Sequence, residues 1–212
     1  MVDLIAYAAG VLLFIMSIPQ IMKVRRYGSQ GVSISTWLIV CAAIALWCVY
    51  GSQIGNGPLT WVNVVSIWLP VTTAALIAAD RCPRWSFVSA FLAVTAALAV
   101  LAVVAFVWVP ATVVVLTGTV LVIVSRVPQT VQSLRNWRAV KVTEVSVPAW
   151  SFGLSGQLLW AVYGHLIGDV AIIATNVVSS ALTVVIIAVT LATSRRWKAD
   201  NFPIVRAFPA AA

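Results

Sequence analysis

The sequence predicts an all-α membrane protein with seven transmembrane helices, arranged as two parallel three-helix bundles joined by a linker helix. Three observations carry that expectation. Of the 212 residues, 62% are hydrophobic and 8% charged, whereas charged residues make up about a quarter of a soluble domain; water is not the main solvent of this chain. Uncharged apolar runs recur at the length that a helix needs to cross hydrocarbon, about 20 residues. The second half of the chain also repeats the first.

The apolar runs fall near 4–24, 34–53, 60–79, 86–108, 111–133, 149–166 and 170–192. They are apolar on all faces, unlike the short alternating segments of a membrane β-barrel. The opening residues Met1-Val2-Asp3-Leu4 lack the basic start of a cleaved signal peptide, so the first run reads as a retained span. The connections alternate in charge. Lys23, Arg25 and Arg26 occupy the first, Arg81 and Arg84 the third, Arg135, Arg138 and Lys141 the fifth, and Arg195, Arg196, Lys198 and Arg206 the tail. The second, fourth and sixth connections hold no Lys or Arg. Basic loops stay in the cytoplasm, which predicts an N-terminus outside, a cytoplasmic C-terminus and a plasma-membrane location. The net charge of +8 is then a topology signal facing anionic headgroups, and no nucleic-acid partner is expected. Cys41, Cys48 and Cys82 show neither disulfide nor metal spacing and read as packing residues.

The repeat emerges when residues 32–66 are set against 145–179, a constant offset of 113. Trp37 then meets Trp150, Leu46-Trp47 meets Leu159-Trp160, and Val49-Tyr50-Gly51 meets Val162-Tyr163-Gly164. Ile54-Gly55 meets Ile167-Gly168, and Asn63-Val64-Val65-Ser66 meets Asn176-Val177-Val178-Ser179. Apolar bias aligns Val and Leu by chance, but not Trp, Tyr, Gly and Asn together. Upstream, with a short loop shift, Pro19-Gln20 matches Pro128-Gln129. The expected organisation is a first three-helix unit over 1–80, a linker helix over 81–109, a second unit over 110–193 and a basic tail over 194–212. Three spans reverse the side of the membrane, so a second copy in the same orientation needs one intervening span. The run 86–108, with little polarity beyond Ser86, Ser89 and Thr95, supplies it.

A Pro-Gln pair ending an apolar helix, then a basic loop, then Gly-Val-Ser (31–33) or Val-Ser (145–146) before a Trp, resembles the PQ-loop superfamily. The 3+1+3 layout with Trp, Tyr and Asn kept in both halves looks most like the SWEET sugar transporters and their half-size SemiSWEET relatives. That family is a known example of parallel repeats related by an axis along the membrane normal. The resemblance covers residues 8 to 190. It implies a facilitative sugar uniporter working by alternating access, with a small-molecule cargo and the lipid bilayer as partners; a homo-oligomer stays open.

Pro19 and Pro128 each remove a helical hydrogen bond and create a bend suited to an inner-gate hinge, although membrane helices also use proline for packing. Gln20 and Gln129 can satisfy the carbonyls so freed or bond across helices. Trp47 and Trp160 fit either the interfacial aromatic belt, the natural reading of Trp61, Trp68, Trp85 and Trp108, or a pocket wall. Asn63 and Asn176 fit either interhelical bonding or solute contact. In combination, two Trp offer apolar faces to a sugar ring and two Asn bond its hydroxyls; the resemblance assigns these four positions to the pocket. It implies an outer gate at Tyr50 and Tyr163, where Ile54, Ile167, Asn56 and Asp169 leave no salt bridge.

Arg126 breaks the symmetry, because Ser17 stands at its place in the first unit. A charge at a helix centre costs about 2.5–3.5 kcal/mol to insert and marks a functional site by default, though a side chain near an end can snorkel outward. Thr119, Arg126, Thr130 and Ser133 share one helical face, which favours a wet path and a polar or anionic solute.

No Asp or Glu lies deep in a span, so a proton symporter, which needs an intramembrane titratable group, is disfavoured. His165 sits at a span end as a solvated residue. A retinal pigment would need a lysine in the last span, and 170–192 holds none. The alternatives are a PQ-loop transporter of amino acids or other polar or anionic metabolites, and a solute or peptide receptor that binds without transport. Enzymatic chemistry, a metal and a cofactor are not expected, since no metal cluster, phosphate loop or activated nucleophile occurs.

Overall fold

The computed structural model describes residues 1–29, 32–139 and 146–201, without the side chains of Gln20, Lys23, Tyr27 and 197–201. Gly31, Lys141, Glu144, Val145 and the tail from 202 onward lie outside the described residues. The described chain is all-helical: α1 Val2–Tyr27, α2 Ile34–Gln53, α3 Gly57–Ser66, α4 Trp68–Arg81, α5 Phe87–Trp108, α6 Ala111–Arg138, α7 Val147–Ile167 and α8 Val170–Asn201. α3 and α4 form one span, Gly57–Arg81. Pro70 has no N–H to give the Ser66 carbonyl, and the ladder is interrupted at Ile67, whose backbone stays helical. Seven spanning positions result. Six are long and apolar enough to cross a membrane by length and composition among the described residues. α7 falls short because Ser151, Ser155, Gln157 and His165 dilute it; of these only Gln157 is buried.

Helix starts are written by side-chain caps, which replace backbone partners that hydrocarbon cannot supply. Ser33 accepts from Thr36 N at 3.2 Å and Ser146 from Ala149 N at 3.5 Å. Asn56 accepts from Leu59 N and Asp169 from Ile172 N, each at 3.0 Å. These four caps are two pairs from the 113-residue repeat. Between the second and third helices of each unit the chain reverses at Gly55 and Gly168, with φ of 70° and 74°. Nothing lies within 4 Å of an added Cβ at either glycine, so the backbone angle alone requires it.

The packing defines two ends. At the basic end, Ser29 N and Oγ donate to Asp80 at 2.9 and 2.6 Å, and Arg81 donates to the carbonyls of Ser29 and Val32. Arg196 lies 5.5 Å over the Trp137 ring there. At the other end, Gln53 Nε2 donates to Val109 O at 2.9 Å and ties α5 to α2. α5 packs on α2 and α4, and its far face is bare, with Val103 62% and Trp108 79% exposed. A bare apolar face of that extent is stable only against lipid. The two three-span sets meet through α1 on α7 and α2 on α6.

The α1–α7 seam depends on small residues, as membrane interfaces do. A Cβ on Gly156 would sit 2.9 Å from Leu13 Cγ and 3.0 Å from the Ala9 carbonyl. Backbone cannot yield as a side chain does, so Gly156→Ala is expected to destabilise by about 1–3 kcal/mol through overpacking. Gly57→Ala, with open space around its Cβ, is expected to leave the melting temperature of the detergent-solubilised protein unchanged. Equal melting of the two variants would show that the seam is not close-packed.

Candidate functional site

Equivalent side chains from α2 and α7 converge at the seam. Trp47 and Trp160 are 7% and 5% exposed, against 62% for Trp61, so neither is a belt residue. Both belong to one buried cluster with Ala6, Ala9, Leu59, Val115, Tyr163 and Ile172. Each ring meets the tyrosine one turn along edge-on: Trp47–Tyr50 at 5.7 Å and Trp160–Tyr163 at 5.4 Å, both at 87°. Edge-to-face pairs of this kind fix ring orientation as well as burying area.

The tyrosines then cross the seam. Tyr50 Oη donates to Asp169 Oδ2 at 2.8 Å, and Tyr163 Oη donates to Asn56 Oδ1 at 2.8 Å. Asn56 and Asp169 are the caps of α3 and α8, so each holds its own helix start and the opposite unit's tyrosine together. Beyond the tyrosines lies an open vestibule of about 780 Å³, lined by Asp3, Tyr50, Asn56, Tyr163 and Asp169 among others. No Lys or Arg lines it. Sequence reasoning did not foresee these two crosswise hydrogen bonds. The signal was available: the repeat pairs Asn56 with Asp169, both immediately upstream of a helix.

Asn63 and Asn176 lie one turn below cluster members Leu59 and Ile172. Their Nδ2 groups donate to the carbonyls of those residues at 2.7 and 2.9 Å. Both side chains are half-buried and retain donor and acceptor capacity, since an amide can make about four hydrogen bonds. Each Asn thus lies one helical turn from a residue of the cluster that holds the tryptophans.

Pro19 and Pro128 are exposed, and neither ends its helix, α1 or α6. Gln129 Nε2 donates to Ser133 Oγ at 3.4 Å; the side chain of Gln20 is outside the description. The polar stripe of α6 faces α8. Thr119 and Thr175 hydroxyls are 2.7 Å apart, and Arg126 Nη1 donates to Thr183 Oγ1 at 3.5 Å. Arg126 therefore sits inside the second three-span set with partners from α8. Gln157 and Thr183, both fully buried, are polar residues that sequence reasoning passed over.

Comparison with known proteins fits this geometry. No family model matches the chain. A Bradyrhizobium diazoefficiens protein named sugar transporter SemiSWEET is 31% identical over 70 residues, 32% of this chain and 81% of that protein. An uncharacterised Methanocaldococcus jannaschii protein is 27% identical over 74 residues, 34% of this chain and 80% of its own length. Among solved structures, a eukaryotic SWEET transporter superposes with a TM-score of 0.71 at 15% identity, over 92% of this chain and 99% of that one. The fold is that of a seven-helix SWEET-type integral membrane protein. The chain belongs to the SWEET and SemiSWEET family.

The crossing bonds differ in strength. A hydrogen bond to a carboxylate contributes about 1.5–3 kcal/mol and a neutral one about 0.5–1.5 kcal/mol. Tyr50→Phe is expected to lower thermal stability more than Tyr163→Phe. Asp169→Asn should remove most of that difference in a double-mutant cycle; equal losses in the native background would show that the bond to Asp169 gains nothing from its charge.

Proposed function

We propose that this protein is a facilitative sugar transporter that works by alternating access. The observation that carries the reading is the crossed pair Tyr50–Asp169 and Tyr163–Asn56, a closure made between two repeats by two bonds a small rocking motion would break. Its relationship to a SemiSWEET sugar transporter supplies the cargo class. In this reading residues 1–80 and 110–193 are the moving units, 81–109 the linker and 194–212 a cytoplasmic tail. The tyrosine end is the outer gate, facing outside the plasma membrane, and the basic end is cytoplasmic.

Solute binds below the closed gate. Trp47 and Trp160 offer apolar ring faces to sugar C–H groups, and Asn63 and Asn176 hydrogen-bond hydroxyls from two sides of a pseudo-twofold axis. Pro19 and Pro128, with Gln20 and Gln129, bend the inner gate, since each proline leaves a carbonyl one turn back without its helical donor. Bound sugar shifts the balance of open and closed forms only as far as it binds one better than the other. No deep carboxylate is available to couple a proton, so net flux follows the solute gradient. Arg126 makes the second repeat more polar than a neutral sugar needs and favours a polar or anionic cargo.

Counterflow in proteoliposomes with glucose, sucrose, amino acids and small organic acids tests the class. Accumulation of a labelled sugar against a trapped unlabelled one is expected; binding without flux of any solute would identify a receptor instead. Asn63→Ala or Asn176→Ala should weaken binding by about 1–3 kcal/mol through an unsatisfied buried partner, with unaltered melting as the control for folding. Ala at both Pro19 and Pro128 should slow counterflow while leaving solute affinity nearly intact. Native rates in that double variant would remove the hinge.

A further inference from the structure

The second repeat contains a buried polar cluster that the first repeat lacks. Arg126 on α6 and Gln157 on α7 both reach Thr183 on α8, the helix that packs against each of them. Arg126 Nη1 is 3.5 Å from Thr183 Oγ1, which is 3.2 Å from Gln157 Oε1. Gln157 is 1% and Thr183 0% exposed. The equivalent positions in the first repeat hold Ser17, Ile44 and Pro70. The same three-helix arrangement is thus built without any of these polar groups, and packing does not require them.

The cluster is also incomplete. Arg126 Nε, Gln157 Nε2, Ser179 Oγ and Ser180 Oγ are buried with no hydrogen-bond partner among the described residues. Buried polar groups are normally paired, and a buried charge without a counter-ion costs several kcal/mol. The acids whose side chains are described, Asp3, Asp80 and Asp169, all sit at helix ends, and the structure records no pairing of any of them with Arg126. Ser179 lies one turn from Thr183 on α8, its carbonyl 2.9 Å from the Thr183 hydroxyl, so the unpartnered serines continue the cluster along one helix.

We propose that Arg126, Gln157, Ser179, Ser180 and Thr183 form a binding site for a hydroxylated carboxylate, a sugar acid. The guanidinium is a planar fork that matches a carboxylate in two parallel bonds. The amide and the two serine hydroxyls each donate or accept, which is what ring hydroxyls require. Charge on the protein surface agrees: Arg135, Arg138, Arg195 and Arg196 mark the basic end, whereas Asp3 and Asp169 line the vestibule. An anionic solute is attracted at the first and repelled at the second. The proposal rests on the transport reading for its biological setting, but the site itself is testable by binding alone.

The full chain in detergent is titrated with sodium glucuronate and with glucose at matched ionic strength, and apparent affinities are read from thermal melting. Glucuronate should bind the native protein at least tenfold more tightly than glucose. Arg126→Ser, which copies the first repeat, should erase that preference, and Arg126→Lys should restore part of it. Ser179→Ala with Ser180→Ala, which keeps the charge in place should the serine variant at 126 fail to fold, should cut glucuronate affinity several-fold. A native protein with no glucuronate preference, or a preference that survives loss of Arg126, overturns the site. Counterflow separates the two readings. Glucose flux without glucuronate preference removes the site and leaves the transporter; Arg126-dependent glucuronate binding without flux of either solute keeps the site and removes the transporter.

Discussion

A helix start leaves backbone N–H groups without intrahelical partners, and at α3 and α8 a side chain supplies one. This constraint organises the end of the molecule where the tyrosines lie. Asn56 and Asp169 use one face of the side chain to cap α3 and α8, and the other to receive a tyrosine from the opposite unit. In Asn56 a single oxygen does both; in Asp169 the two oxygens divide the work. A group needed for helix stability is thereby also a contact between units. The contact can break without unravelling the helix, because the cap stays when the tyrosine leaves.

The two repeats share this frame and differ in what they fill it with. In the first, Pro70 interrupts the third span, and Asp80 with Arg81 pins the loop before α2 to the end of α4. In the second, α8 runs on without a break, and Thr193 and Ser194 stand where Asp80 and Arg81 would be; both donate only to carbonyls of their own helix. The first unit is therefore polar and tied at its basic end. The second is polar in its interior, around Arg126. Duplication supplies the geometry, and divergence at a few positions supplies electrostatic direction.

Much of this was legible in the sequence because the bilayer enforces it. Span length, the alternation of basic and neutral loops and the 113-residue repeat follow from hydrocarbon thickness, charge sidedness and duplicated packing, and each is one-dimensional. The equivalence of Trp47 and Trp160 was also legible from the repeat; their meeting in one buried cluster depends on which helix faces turn to the seam. Contacts that cross the axis were harder to read. Asn56 and Asp169 were aligned by the repeat, yet their pairing with tyrosines 107 and 119 positions away in sequence, respectively, depends on how two helix ends face each other. Gln157 was missed because a lone amide in an apolar run has no periodic signature; only the packing of α7 against α8 gives it a polar neighbour. The sequence reading took the α6 stripe as the lining of a wet path; that Thr119 and Arg126 meet α8 could not follow from α6 alone.

In the proposed transport cycle, the size of the crossed closure suits a gate. One neutral and one charge-assisted bond together contribute about 2–4.5 kcal/mol, which corresponds to roughly one to three orders of magnitude in an equilibrium. A closure ten times weaker in free energy would leave the outer end open to leakage. One built as a buried hydrophobic seam of several leucines would exceed what a small solute can repay, because its leverage is limited to its differential affinity for the two forms. Two tyrosines, each braced edge-on by a tryptophan, keep the closure polar and narrow. The same tryptophans belong to the buried cluster beneath, so in the proposed transport cycle a solute settling against Trp47 and Trp160 would press on the rings that orient Tyr50 and Tyr163. In that proposal binding and gate release act through shared side chains, without any longer path between them.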